Sequence, residues 1–232
     1  DKDGMTALML SAYNGYLAPE LLEAFISHGA DINALDDWNR TALMESARNG
    51  HLTPELLEAF VSRGADMNAW DEDGRTALMR SAREGHLTPE LLEAFMRHGA
   101  DINTQDKQGT TALIWAAREG HLTPELLEAF MSHDADINAR DEDGRTALMR
   151  SALHGHLTPE LLEALVSRGA DVNARNEDGR TAMSMLCTGY FNEQHIGSLL
   201  SFFSCGCSIR DMYDGWTPES FIKWLKYNKV KN

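Results

Sequence analysis

The stretch GHLTPELLEAF occupies residues 50–60 and recurs unchanged at residues 85–95 and 120–130. Near copies, GYLAPELLEAF and GHLTPELLEAL, begin at Gly15 and Gly155, so five copies follow one another at a spacing of 35 residues. A fixed period of this length is typical of stacked repeat arrays, in which each repeat buries its apolar face against its neighbours. The period divides the chain into six repeats, 1–35, 36–70, 71–105, 106–140, 141–175 and 176–211, and a C-terminal segment, 212–232.

The third repeat predicts a pair of short helices. Thr76 is expected to cap a first helix, ALMRSARE, which ends at Gly85. Thr88 is expected to cap the second helix, and Pro89 suits its first position. Gly99 ends the second helix, and the ADIN that follows is expected to run extended into the next turn. Neither helix is long enough to be stable alone, so the repeats must stack.

Three motifs of the repeat, DGRTALM, SAREGHL and RGADVNA, resemble the turn, first-helix and hairpin signatures of the ankyrin repeat family. The resemblance covers nearly the whole chain and implies an all-α fold, an ankyrin-repeat α-solenoid of helix-turn-helix units with β-turn or hairpin fingers. It implies one domain over 1–232. The repeat is longer than the family's usual 33 residues because TP opens the second helix. The family's TPLH motif reads TALM here, with buried methionines expected in place of histidine at Met44, Met79 and Met149.

The positions that differ between repeats are the candidates for partner binding, because stacking does not fix them. They lie at the turn, just before the turn and on one face of the first helix. In proteins that resemble ankyrin repeats, turn tips and this helical face line a concave groove that binds partners, which agrees with the general use of solenoid surfaces. The candidate partner-binding residues are Leu10, Tyr13, Leu35, Trp38, Glu45, Arg48, Trp70, Arg80, Arg83, Trp115, Arg118 and Arg150.

Three tryptophans are the strongest of these candidates. Trp38, Trp70 and Trp115 each replace a polar residue of the sister repeats, which indicates that the core does not require them. Tryptophan and arginine are also the residues that most often anchor interfaces. Leu35 is expected to lie near the first two on the fingers, and Trp115 in a row of arginines on the inner helices. The alternative is that these side chains are exposed without a role.

The charge distribution indicates the kind of ligand. The net charge is −15, and fifteen framework acids, ten in the PELLE copies and five in the ADIN-type motifs, account for it. The inner helices instead carry mostly arginine, which predicts a protein or peptide ligand with acidic and apolar features. The overall acidity argues against nucleic acid and anionic membranes. No apolar run approaches the length of a membrane span, and the first residues lack the pattern of a secretory signal.

The histidines and cysteines give little support for catalysis or metal binding. Four of nine histidines occupy one framework position, which indicates packing or capping: His51, His86, His121 and His156. A group of ligand types that zinc accepts comprises His195, Cys187, Cys205 and Cys207. A single C-x-C without a second pair is a weak signal, however, and small buried thiols are the favoured alternative. We expect no catalytic residue, metal or cofactor, and the odd, sparse cysteine count indicates a reducing, cytoplasmic compartment.

The sequence therefore predicts a non-enzymatic, monomeric module that binds a protein or peptide partner through its concave groove. Two alternatives remain open. One is a structural spacer array whose groove is idle, and the other is a regulatory or targeting region of a larger protein. The C-terminal segment, with Trp216, Phe221, Trp224 and Lys223, is expected to cap the stack with one apolar and one solvated face.

Overall fold

A computed structural model describes residues 3–188, 194–205 and 223 of the chain. Within these residues the backbone forms α-helices, turns and short connections, and no strand. Residue contacts divide the chain into two compact units. The N-terminal unit comprises Asp1–Ala112 and Ser132–Ala135, and the C-terminal unit comprises Leu113–Met131 and Asp136–Asn232.

The helices come in pairs, one pair per repeat. Within the N-terminal unit, first helices pack on first helices (α1 on α3, α3 on α5) and second helices on second helices (α2 on α4, α4 on α6). Within the C-terminal unit, α9 packs on α11 and α10 on α12. The predicted all-α solenoid class is confirmed. The helices of the described residues are α1 Ala7–Tyr13, α2 Pro19–Ser27, α3 Ala42–Arg48, α4 Pro54–Ser62, α5 Ala77–Glu84, α6 Pro89–Arg97, α7 Ala112–Glu119, α8 Pro124–Ser132, α9 Ala147–Leu153, α10 Pro159–Ser167, α11 Ala182–Thr188 and α12 Gln194–Ser204.

The ends of the helices are set by local sequence signals. The Thr76 hydroxyl accepts a hydrogen bond from the Met79 amide at 3.4 Å, and Thr88 caps α6 in the same way at 3.2 Å. Gly85 ends α5 in the left-handed region, with φ of 80°. The segment after α6 is a turn, so the expectation that ADIN runs extended is wrong. The Asp101 side chain bends it by accepting a hydrogen bond from the backbone amide two residues later, at 3.0 Å.

Framework side chains join consecutive repeats. A Cβ added to Gly50 would lie 2.8 Å from ring atoms of His86, so the imidazole packs directly on the glycine of the preceding repeat. His51 and His156 pack on Gly15 and Gly120 in the same way, which confirms the packing role of this position. The methionines of the TALM motif are buried as expected. At these three places the glycine that follows a first helix is therefore the packing site for the histidine of the next repeat.

An asparagine amide also bridges consecutive turns. The Asn33 Nδ2 group donates to the carbonyl oxygen of Gly64 at 2.9 Å, and its Oδ1 accepts from the amide of Asp66 at 2.9 Å. Asn68 in the N-terminal unit and Asn138 in the C-terminal unit repeat this arrangement with the next turn. Each asparagine side chain thus donates one hydrogen bond and accepts another, and these two bonds connect consecutive repeats.

A buried carboxylate begins each described turn from the second to the fifth repeat. Asp71 is buried, and its Oδ1 accepts hydrogen bonds from the amides of Asp73 at 2.8 Å and Arg75 at 2.9 Å. The same pair of bonds forms in the other turns that start at Asp36, Asp106 and Asp141. Because a buried charge needs a compensating partner, the second oxygen constrains what can lie beside it.

The second oxygen is paired with arginine. Oδ2 of Asp71 contacts the Arg80 guanidinium of α5, nine residues along the chain. In the fifth repeat, Arg150 Nε donates to Asp141 at 2.5 Å. Where the turn residue is Asn176, the corresponding helix position holds the uncharged, buried Met185. In these three repeats a turn aspartate accompanies a helix arginine and the turn asparagine accompanies an uncharged side chain, whereas Asp36 and Asp106 are accompanied by Glu45 and Trp115.

We predict that Asp71 and Arg80 are energetically coupled. Asp71→Asn should lower the free energy of unfolding by about 3 to 5 kcal/mol, because it leaves a buried guanidinium without its carboxylate. The double variant Asp71→Asn/Arg80→Met copies the Asn176 and Met185 pair and should recover most of that loss in urea unfolding. Asp73→Asn, at the half-exposed end of the same turn, is the control. Costs that simply add in the double variant would contradict the coupling.

Candidate interaction surface

The fingers of the N-terminal unit expose large apolar side chains to solvent. Trp70 is 59% exposed and Leu35 is 53% exposed, at the same position of successive repeats. Trp38 lies at the tip of the second turn, also exposed, with the Arg40 guanidinium 4.5 Å from the centre of its ring. The third repeat carries Gln105 at the place of Trp70. We call Leu35, Trp38 and Trp70 the finger surface.

Two open depressions adjoin this surface, and Trp70 lines both. The first has a volume of about 620 Å³ and is also lined by Leu35 and Asp66. The second has a volume of about 530 Å³ and is also lined by Glu72 and Lys107. The finger surface therefore combines apolar rings with concave, charged surroundings, which is the form of a site that accepts side chains from a partner.

Four candidates on the inner helices are buried, so the expectation that they line an open groove is wrong for them. Glu45 is 0%, Trp115 2%, Arg80 7% and Arg150 8% exposed. The arginines are held inside by the turn carboxylates, and Glu45 pairs with Arg40 at 3.0 Å. Other candidates on this face lie nearer to solvent: Leu10 and Tyr13 are exposed, and Arg48, Arg83 and Arg118 are half-buried.

Comparison with known proteins agrees with this architecture. The family model of ankyrin repeats matches the chain in three copies, over residues 8–89, 48–141 and 88–176. Together these matches cover well over half of the 232 residues. The chain belongs to the ankyrin repeat family. Ankyrin repeats are generally protein-protein interaction modules and are typically non-enzymatic. No curated protein matches the chain.

In the fourth ankyrin repeat, Trp115 occupies a core position. The guanidinium of Arg118 lies 4.7 Å from the centre of its ring, and the neighbouring residues of α7 are equally buried. Polar residues in the sister repeats do not show that this position is exposed, because Arg80 and Arg150 are buried there as well. The position takes a paired charge, a large ring or, in the sixth repeat, the buried Met185.

We predict opposite effects of removing two tryptophans. Trp115→Ala should lower the free energy of unfolding by about 3 to 5 kcal/mol, because it opens a cavity in the core. Trp70→Gln copies Gln105 and should change it by no more than about 0.5 kcal/mol, as is usual for surface substitutions. Chemical denaturation of both variants measures this difference. Equal stabilities would show that Trp115 does not support the core.

A histidine of the C-terminal unit lies in a positively charged, partly buried setting. His154 follows α9, and its Nε2 atom is buried with no hydrogen-bond partner among the described residues. Burial lowers the pKa of His154, the charges of Arg118 and Arg150 lower it further, and Glu119 opposes them. The proximity of His156 also lowers the pKa. The imidazole is therefore neutral at pH 7.

We predict that His154 makes this unit less stable in mild acid. The pKa of His154 in the folded state lies below the unfolded value of about 6.5. As the pH falls through that range, the folded state therefore binds fewer protons than the unfolded state does. The favourable contribution is complete above the unfolded pKa and is lost as the pH falls through it toward the folded pKa. His154→Asn, which copies Asn49 of the second repeat, should flatten the loss of unfolding free energy between pH 7.5 and 5. An unchanged pH profile would contradict this assignment.

The cysteine and histidine group is only partly described. Burial raises the pKa of the Cys187 thiol to about 12, and burial with the nearby charge of Glu163 raises the pKa of Cys205. Both cysteines are free thiols. Cys207 and the side chain of His195 lie outside the described residues. Within the described part, no cluster of three or more histidine, cysteine or acidic side chains is arranged to hold a metal ion.

The predicted cap falls almost entirely outside the described residues. This applies to Trp216, Phe221 and Trp224, whereas Lys223 is exposed. The cap therefore stays a prediction, as does the division of the chain into one domain of six repeats. None of the described helices has both the length and the apolar character needed to cross a membrane.

Proposed function

We propose that this ankyrin repeat chain is a non-enzymatic module that binds a protein or peptide partner through the finger surface. The observation that carries the proposal is the exposure of the Trp70 ring. Sister repeats stack with a polar residue at this place, so stacking does not require an aromatic side chain there. Burying the ring in a complex would remove its apolar area from water, which is favourable.

Several neighbouring features support binding at the fingers. Leu35 and Trp70 stand one repeat apart and both line the first depression, so an extended segment could contact both. The asparagine bridges hold successive turns in register, which limits the ordering cost of binding. Leu10 and Tyr13 of α1 offer further exposed apolar area in the same unit, and the half-buried Arg48 and Arg83 offer polar contacts.

The alternatives differ in what they require of this surface. A spacer array needs stacked repeats but no exposed aromatic side chains at variable positions. A regulatory or targeting region of a larger protein would use the same surface, so that alternative changes the context of binding rather than its place. The free thiols of Cys187 and Cys205 support our further proposal that the chain works in a reducing, cytoplasmic compartment.

We predict that Trp70 and Leu35 anchor the partner. The probe is a set of 12-residue peptides selected from a displayed random library on the intact chain. Trp70→Gln and Leu35→Gln, which both copy Gln105, should each weaken peptide binding by about 1 to 3 kcal/mol because anchors at an interface core contribute most of the affinity. Titration calorimetry measures the loss.

The matched control is Arg140→Gln, which makes the same substitution product at the same repeat position in the C-terminal unit. Its affinity should equal that of the parent. Equal losses in the control and the two test variants would contradict binding at the finger surface. Failure to select any binding peptide from the library would also contradict binding at the finger surface.

A further inference from the structure

The charges around the finger surface indicate the chemistry of its partner. We propose that the segment bound there is basic and apolar, with a lysine or arginine next to a large apolar residue. This inference rests on the proposed function and replaces the acidic ligand that the arginine-rich sequence of the inner helices predicts.

The first step concerns the arginines of the N-terminal unit near the fingers, which are engaged within the protein. Arg80 is buried against Asp71. Arg40 contacts Asp36 at 2.7 Å and the buried Glu45 at 3.0 Å. These guanidinium groups are compensated by carboxylates and buried or nearly so, and therefore offer little charge to an acidic ligand.

The third arginine of this region is paired at the turn itself. Arg75 contacts the half-exposed carboxylate of Asp73 at 2.9 Å, and it also lies 3.9 Å from the buried carboxylate of Asp106. Its positive charge is therefore balanced by two acids of the fingers. Arg40, Arg75 and Arg80 are the arginines of the second and third turns and of the helix position that contacts these turns. All three are therefore paired with carboxylates.

The second step concerns the acids that line the two depressions. Asp66 lines the first, and Asp71, Glu72 and Asp106 line the second, whereas Lys107 is the basic residue among all the lining residues of both. Asp66 and Glu72 are exposed. Because Asp71 and Asp106 are already paired with Arg80 and Arg75, the second depression presents Glu72 beside Lys107. Asp66 of the first depression then gives the two depressions together a net negative charge, in a chain whose net charge is −15. Such a field attracts cationic segments and repels anionic ones.

The third step joins the charge to the ring. The face of an exposed indole attracts a guanidinium or ammonium group, and this attraction adds to that of nearby carboxylates. Trp70 lines both depressions, one with Asp66 and the other with Glu72. A basic side chain at Trp70 would therefore meet a carboxylate in either depression. Leu35 lines the first depression and provides apolar contact for a neighbouring residue of the same segment.

The test uses the 12-residue peptides selected on the intact chain. They should carry a net positive charge, and their affinity should fall as the salt concentration rises. Glu72→Lys copies Lys107 and should weaken them by about 3- to 10-fold at low salt, because it reverses a charge beside Trp70. Glu142→Lys makes the same change at the same turn position of the C-terminal unit and should leave affinity unchanged.

The outcomes separate this inference from the proposed function. Peptides that are acidic, lose affinity with Trp70→Gln and gain affinity with Glu72→Lys would overturn the basic partner while supporting the finger surface. Basic peptides that bind equally well to Trp70→Gln would overturn both. Equal losses for Glu72→Lys and Glu142→Lys would show a general effect of charge and would overturn the assignment of the basic group to Trp70.

Discussion

The described fingers depend on the interactions made by the carboxylate of the buried aspartate that begins each turn from the second to the fifth repeat. One oxygen of Asp71 holds two backbone amides and so bends the chain, and this leaves the second oxygen inside the protein. A buried charge of this kind requires a donor or an opposite charge. The helix that follows supplies it with Arg80, and the sixth repeat avoids the requirement by pairing Asn176 with Met185. In the third and fifth repeats the turn aspartate is therefore paired with the helix arginine, whereas Asp36 contacts Arg40 of its own turn.

Because such buried pairs occur at a variable position, variation between repeats does not by itself show that a position is exposed to solvent. The helix position occupied by Arg80 varies because several side chains can satisfy the same buried site, including the ring of Trp115. The finger position occupied by Trp70 varies because solvent sets few demands on it. Both look alike in an alignment of the repeats. They are distinguished by burial, which depends on three-dimensional packing.

The features that the sequence predicts well are those set by contacts of short range or by the repeat itself. The cap at Thr76, the stop at Gly85 and the packing of His86 follow from local patterns. The features it misses depend on side-chain geometry across longer separations. Asp71 and Arg80 lie nine residues apart in the sequence, and the side chain of Asn33 makes a hydrogen bond with a residue of the next repeat. The sequence predicts the exposure of the finger surface because its positions vary between repeats. The same argument wrongly places Arg80 and Arg150 at the surface, because pairing with Asp71 and Asp141 holds them inside.

The same carboxylates that shape the turns also decide the charge that a partner meets. Asp36 and Asp71 pair with Arg40 and Arg80, so the charge of these two arginines is withdrawn from the surface, whereas Arg48 and Arg83 of the inner helices stay half-buried. Two acids, Glu72 and Asp66, stay exposed beside Trp70, although Oδ1 of Asp66 also accepts a hydrogen bond from the amide of Asn68. Folding thus separates the charges of the N-terminal unit, with compensated pairs inside and uncompensated acids near the rings. A ligand of this surface therefore meets the residues that stay exposed around Trp70, and composition alone does not identify these residues.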